Sequence, residues 1–255
     1  MKIINSKFWK PLWETYRLAP SIAFCRVPEL EFASRLHTDG EMLDHCCGDG
    51  RFASLAWPGR TIAAGCDINP FSVHEAIELG IYREAAVADA SKKLPLESGR
   101  FQLIFNNSAL EHIPDIDATL AEVRRVLAPS GSFVFNVLNS RYFEWWPMEK
   151  STLDQYAKWQ PFIHALSLDE WTKLLERHGL EVVSVDEYFP KQASRMLARL
   201  DYLFSSVSLG KKRSWFVDLY RNDLIKTFLH YILSGMEWQA SPGTGAGLCI
   251  RTRKR

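Results

Sequence analysis

No two of the five cysteines stand at C-x-x-C spacing, and the adjacent Cys46 and Cys47 are badly placed to bridge each other. Neither a disulfide framework nor a zinc site is expected, no metal is called for, and a reducing cytoplasm fits best. Long apolar runs are lacking too. The most apolar late stretch, Leu224 to Met236, holds Lys226 and His230 and falls short of the roughly 20 residues that span a bilayer. Near the start, Lys7, Lys10, Pro11, Glu14 and Arg17 interrupt MKIINSKFWKPLWETYRL before any run reaches signal-peptide length, so no export signal is expected. Internal repeats and low-complexity segments are also missing.

Net charge is nearly absent, at +1, but it conceals an asymmetry. Residues 191 to 255 carry 12 Lys or Arg against 4 Asp or Glu, leaving 19 against 26 for residues 1 to 190. The late region, ending RTRKR, is therefore the one suited to an anionic partner or a solvated basic face. What the chain does have is 47% hydrophobic and 24% charged residues over 255 positions, enough for one catalytic domain with embellishments.

Along the chain, residues 5 to 36 read as helix, with Trp9, Trp13 and Tyr16 on one face and Pro11, Pro20 and Pro28 dividing it into short pieces. From Glu41 short apolar runs alternate with helical periods, the rhythm of β-α-β units. Strands are expected at Glu41–Cys46, Thr61–Asp67, Ala85–Asp89, Phe101–Asn106, Ser132–Leu138, Leu180–Phe189 and Ala246–Arg251. Helices are expected at Asp49–Trp57, Pro70–Leu79 and Ile116–Leu127, the last closed by a Pro129-Ser130-Gly131 turn, and another from Ser167-Leu168-Asp169-Glu170 to Gly179. The fold class is α/β: a doubly wound, mostly parallel seven-stranded sheet with an N-terminal helical cap (1–40), a core (41–190), a helical insertion (191–240) and a closing strand with a basic tail (241–255).

Glycine density peaks in MLDHCCGDGRFASLAW, where Gly48 and Gly50 let the backbone approach a ligand at a helix N-terminus. Asp67 ends the second strand in AAGCDINP, where an acid accepts from both ribose hydroxyls of an adenosine. A nucleoside cofactor follows, and Gly48-x-Gly50-x-x-Ala53 by itself leaves a nicotinamide or flavin enzyme open.

Asp44 before the loop, Asp89-Ala90 at the end of the third strand, and the block FQLIFNNSALEHIPDIDATLAEVRRVLAPSGSFVFNV tilt the balance. With them the sequence resembles the class I S-adenosylmethionine-dependent methyltransferases, particularly the small-molecule group that includes the ubiquinone and menaquinone biosynthesis enzymes. The resemblance covers roughly Glu41 to Phe189. LDHCCGDGRF corresponds to that family's glycine loop, GCDINP to its ribose-binding acid, VADA to its adenine segment, and FNNSALEHI to the strand end beneath the reactive methyl.

The resemblance implies S-adenosylmethionine as cofactor and S-adenosylhomocysteine as product. Gly48 and Gly50 would line the methionine and ribose, Asp44 anchor the ammonium, and Asp67 hold the ribose. Asp89 would accept from the adenine amino group with Ala90 donating its N–H, and Ile68 would pack on the ring. Asn106, Asn107 and His112 would lie near the sulfonium. Where the family has glycine this chain has Cys46, so a side chain lines the cofactor there. His45 replaces an apolar residue and needs a partner.

Methyl transfer from a sulfonium is an in-line displacement, so the protein must align its nucleophile within about 3 to 3.5 Å and exclude water. A hydroxyl acceptor gains from a general base, for which His112 and His164 are the candidates, whereas His230 reads as structural. Seven aromatics between Arg141 and Phe162 are expected to form part of a substrate lid. Leu200, Tyr202, Leu203, Phe204, Trp215, Phe216, Leu219 and Tyr220 around Lys211-Lys212-Arg213 suit either a helical lid or, through residues 191 to 235, peripheral contact with an anionic inner-membrane surface. The expected partner is a small-molecule or amphiphilic, lipid- or glycan-linked substrate; no nucleic acid is expected. The rival readings are a nicotinamide-dependent oxidoreductase and a catalytically silent cofactor-fold binding protein.

Overall fold

A computed structural model describes residues 1–16, 19–208, 220 and 222–255, with the side chains of all these except 205–208. Trp215, Phe216, Leu219 and Lys211-Lys212-Arg213 lie outside the described residues. The strands are β1 (Met42–His45), β2 (Ile62–Asp67), β3 (Tyr82–Val87), β4 (Phe101–Asn107), β5 (Leu127–Leu138), β6 (Leu180–Pro190) and β7 (Gly245–Lys254). They form one seven-stranded sheet in the order β3-β2-β1-β4-β5-β7-β6, so the closing strand does rejoin the sheet, between β5 and β6. The pairs β3-β2, β2-β1, β1-β4 and β4-β5 are parallel, and the order reverses between β1 and β4, the switch point where doubly wound folds bind ligands.

The described helices are α1 (Trp9–Thr15), α2 (Pro20–Ala33), α3 (Arg51–Ala56), α4 (Pro70–Glu78), α5 (Ile116–Val126), α6 (Ser140–Glu144), α7 (Lys150–Trp159), α8 (Leu168–Arg177), α9 (Lys191–Ser208) and α10 (Asp223–Ser234). The expected start of α8 is realised as a capping box: the Ser167 hydroxyl accepts from the Glu170 N–H, and the Glu170 carboxylate accepts from the Ser167 N–H.

Three local expectations are corrected. Pro28 does not divide the N-terminal segment but sits inside α2, where its missing N–H is outweighed by the burial of Phe24, Val27 and Leu30, and Pro11 does not divide it either, lying in the first turn of α1 where no intrahelical N–H bond is lost. Pro129-Ser130-Gly131 is no turn between a helix and a strand, because β5 already begins at Leu127. Phe101 pairs with Leu127 and Leu103 with Ser132, so residues 128–131 form a bulge opposite Gln102. Finally, β3 starts at Tyr82 and ends at Val87, which leaves Asp89 in the following loop.

The chain packs as two compact units. The sheet unit comprises residues 32–138, 163–186 and 248–255. Its core joins Leu43, Ala64, Ile104 and Phe135 of the strands to Leu120 and Val123 of α5 and Trp171 and Leu175 of α8. Phe52 of α3 stacks on Phe105 at 5.7 Å and Trp57 meets the same ring edge-on at 5.2 Å, which fixes the helix that follows the glycine loop.

The helical unit comprises residues 1–31, 139–162 and 187–247. The Trp9, Trp13 and His230 rings form a cluster, with centroids 4.9 to 5.2 Å apart. Tyr142, Phe143, Trp146, Tyr156 and Phe162 pack on one another, and the Tyr142 and Tyr156 hydroxyls donate to Asp201 of α9 at 2.9 and 3.4 Å. Leu200 and Phe204 are buried, and Tyr202 stacks on Trp159 at 5.6 Å.

Candidate functional site

The loop after β1 is shaped by left-handed residues at alternate positions: Cys46 at φ 62°, Gly48 at φ 56° and Gly50 at φ 76°. The two glycines adopt this without cost, whereas Cys46 carries the strain of a Cβ in the left-handed region, about 1 to 2 kcal/mol. A second strained residue, Ser108 at φ 49°, follows the end of β4. Both lie at the carboxyl ends of adjacent parallel strands, where backbone strain often accompanies a ligand site. The Cys47 N–H donates to the Cys66 carbonyl at 2.9 Å and ties the loop to β2, while a Cβ built on Gly48 meets nothing within 4 Å. The loop therefore presents open space over Gly48.

Asp67 stands at the end of β2. Its Oδ2 accepts from the Gly48 N–H and its Oδ1 from the Asn69 N–H, each at 2.9 Å, so the carboxylate is fixed between the glycine loop and the start of α4. Asp44 is only 4% exposed, and burial together with the nearby Asp67 pushes its carboxyl up to about 7, against a hydrogen bond from Tyr82 that lowers it. Two carboxylates around one glycine loop favour a ligand bearing positive charge and disfavour a pyrophosphate. Burial raises the thiols of Cys46, Cys47 and Cys66, which rules out thiolates at the loop.

In the loop after β3, Asp89 accepts from the N–H and the hydroxyl of Ser91 at 2.9 and 2.7 Å, and these bonds hold its carboxyl below the usual range. Ala90 is buried, whereas Ile68 is 65% exposed, an apolar side chain with nothing packed over it. Glu122 of α5 accepts from the Leu94 N–H at 2.6 Å and so pins the loop that carries Asp89.

At the end of β4, Asn106 is fully buried and turned toward β1. Its amide donates to Nδ1 of His45 at 3.0 Å and to the His45 carbonyl at 2.9 Å, so one ring nitrogen has a partner while the buried Nε2 has none. Burial holds that imidazole down at about 4, hence neutral. The neighbouring Asn107 accepts from Asn136 of β5 at 2.8 Å. His112 is half-buried in a short 3-10 helix, Leu110–His112. His164 straps that same turn: its N–H donates to the Glu111 carbonyl at 3.1 Å and its Nε2–H to the Ile113 carbonyl at 2.9 Å. The His164 ring lines a groove with Ile116, Asp117, Leu166 and Glu170, which shares no residue with the glycine loop. Among the described residues no group of His, Cys, Asp or Glu is arranged to hold a metal.

Sequence reasoning missed Tyr82, whose hydroxyl donates to Oδ2 of Asp44 at 2.6 Å. The available signal was Gly65, a glycine inside a buried strand, which marks the close approach of another group.

Fold and site together define a doubly wound nucleoside-binding protein whose loop is flanked by acids. The chain belongs to the S-adenosylmethionine-dependent methyltransferase family: the family model described as "Methyltransferase domain" matches residues 17–185. It is 25% identical over 182 residues to the chloroplastic tocopherol O-methyltransferase of Arabidopsis thaliana, an alignment covering 66% of this chain and 51% of that protein. It is 27% identical over 196 residues to a sterol 4-C-methyltransferase of Caenorhabditis elegans, covering 69% and 57%. The chain thus spans about half the length of these curated relatives. Among solved structures, an S-adenosylmethionine-dependent methyltransferase from Thermotoga maritima shares the fold with a TM-score of 0.64 at 18% identity, covering 97% of this chain and 98% of that one.

The raised Asp44 carboxyl has a consequence for stability. As pH rises from about 4 to 7 the unfolded chain gives up this proton while the folded chain keeps it, so stability is progressively lost and then levels off. Asp44→Asn removes the titration. Urea unfolding should find the two proteins alike at about pH 4 and the variant increasingly more stable up to about pH 7. A wild type that gains on the variant across that window contradicts a raised, buried acid at residue 44.

Proposed function

We propose that this chain transfers a methyl group from S-adenosylmethionine to a small-molecule acceptor, leaving S-adenosylhomocysteine. The observation that carries the reading is the pair of acids, Asp44 and Asp67, flanking the Gly48–Gly50 loop, open over Gly48, at the switch point of the sheet. Their acidity and their places at the ends of adjacent strands suit a ligand with an ammonium at one end and a ribose at the other. In this reading Asp67 accepts from the ribose hydroxyls, Asp44 pairs with the ammonium, and Gly48, Gly50 and Cys46 line the chain between. Ile68 covers the adenine, Asp89 accepts from its amino group, and Ala90 donates its N–H. Asn107 borders the sulfonium end, while Asn106 acts from behind, bracing His45.

The sulfonium supplies an activated methyl; the protein's share is alignment, exclusion of water and, for a hydroxyl acceptor, removal of the acceptor's proton. His112 is the group proposed to take that proton, and His164 holds the turn that presents it. Calorimetric titration should give saturable binding of S-adenosylmethionine and none of NAD, with Asp67→Ala weakening the former by more than about tenfold. Unchanged affinity in Asp67→Ala, or preferential NAD binding, overturns the reading. At saturating cofactor, His112→Ala should lower turnover by about 100-fold and His164→Ala by less; a larger loss at residue 164 reverses the two roles.

The finer reading is an apolar, lipid-like acceptor met at an anionic membrane surface on the cytoplasmic side. Its support is α10, where Leu224, Phe228 and Tyr231, spaced along one face, are 79%, 62% and 77% exposed, in the region holding the excess of basic residues. Two relatives are named for tocopherol and sterol substrates. Among the described residues no helix is long and apolar enough to cross a membrane. The chain should therefore sediment with phosphatidylglycerol-containing vesicles and not with neutral ones, and Phe228→Glu should release it. Equal recovery with and without anionic vesicles contradicts the surface assignment.

A further inference from the structure

Beneath the glycine loop, the ring of Tyr82 threads between three segments of the site. It enters from the first residue of β3, which lies opposite Ile62 on β2. A Cβ built on Gly65 would stand 3.0 Å from its Cδ1 and Cε1, and one built on Gly50 would stand 3.1 Å from its Cε2. Only glycine at both positions lets the ring pass without displacement. Gly65 pairs in register with Asp44 across β2 and β1, so a ring lying over Gly65 delivers its hydroxyl to that acid, at 2.6 Å from Oδ2.

We propose that Tyr82 is a positioning residue for the amino-acid end of the cofactor: its phenol fixes one oxygen of Asp44 and leaves the other available to the ligand's ammonium. The inference rests on the function proposed above and deepens it, since neither the glycine loop nor the acids account for what favours the ionised form of a nearly buried carboxyl. The charged and titratable groups around Asp44 are Asp67 on β2, Tyr82 on β3, and the thiols of Cys46, Cys47 and Cys66. The thiols stay neutral and Asp67 repels, so the Tyr82 hydroxyl is the group among these that favours the ionised form. Without it Asp44 is protonated further into the neutral range, and a neutral carboxyl offers little to an ammonium. The raised phenol of Tyr82, caused by its burial and by Asp44, keeps it a donor throughout.

Calorimetry with two ligands tests this: S-adenosylhomocysteine, which carries the ammonium, and 5′-methylthioadenosine, which has the nucleoside without it. Tyr82→Phe should weaken S-adenosylhomocysteine by about tenfold at pH 7, the size expected for one hydrogen bond to a charged group, while 5′-methylthioadenosine binding changes less than about twofold. Between about pH 5.5 and 7.5 the rise in S-adenosylhomocysteine affinity should move to higher pH in the variant. Asp44→Asn should bind weakly with little pH dependence, and adding Tyr82→Phe to it should cost nothing more. Equal weakening of both ligands marks Tyr82 as a packing residue only and overturns the proposal, as does a pH profile that does not move. If wild type binds neither ligand, or Asp67→Ala leaves both unaffected, the cofactor reading itself falls; if those controls behave, a null result at residue 82 falls on Tyr82 alone.

Discussion

The site is organised around a carboxylate that the fold keeps from water. Asp44 sits at the carboxyl end of β1, nearly buried, with Asp67 on the next strand repelling it and a phenol restraining it. Two acids at adjacent strand ends are electrostatically unfavourable until something positive arrives between them. The surroundings follow from holding that arrangement: glycines at 50 and 65 so that Tyr82 can reach in, a backbone amide from Gly48 on Asp67, and a loop that leaves the space above open.

Other strand ends are braced rather than charged. Asn106 gives its amide to His45, which makes the histidine a neutral spacer between β1 and β4. Residue 46 accepts left-handed strain that a glycine would avoid, and Ser108 does the same beside it. Glu122 reaches from α5 to hold the loop bearing Asp89. The turn carrying His112 is tied from outside by His164. Each brace comes from an element distant in sequence, which makes the site depend on the whole sheet unit.

Much of this was legible from residue order. Alternating apolar runs and helical periods gave seven strands in nearly their observed places, and the central ones, β1, β2 and β4, read most clearly because parallel strands buried on both faces are short continuous hydrophobic runs. The Gly48–Gly50 loop, Asp67 and the Asp89-Ala90 step stood out through local chemistry. The failures share a cause: tertiary contacts overrode local signals. Pro28 lies within α2 because buried neighbours hold the helix, and Pro129 to Gly131 bulge out of β5 because the strand pairs on both sides of them. Tyr82 reads as an ordinary strand residue, and only its long-range partner gives it a role. His164 stands as one of two candidate bases, and the contact of its Nε2 with a carbonyl 51 residues away in sequence is one that no local signal gives.

The most direct test of the central claim is a crystal structure of the chain grown with S-adenosylhomocysteine. The account predicts one bound molecule over the Gly48–Gly50 loop, its ribose hydroxyls on the Asp67 carboxylate and its ammonium on Asp44. A ligand bound elsewhere, or one whose ribose and ammonium leave both carboxylates untouched, would contradict it.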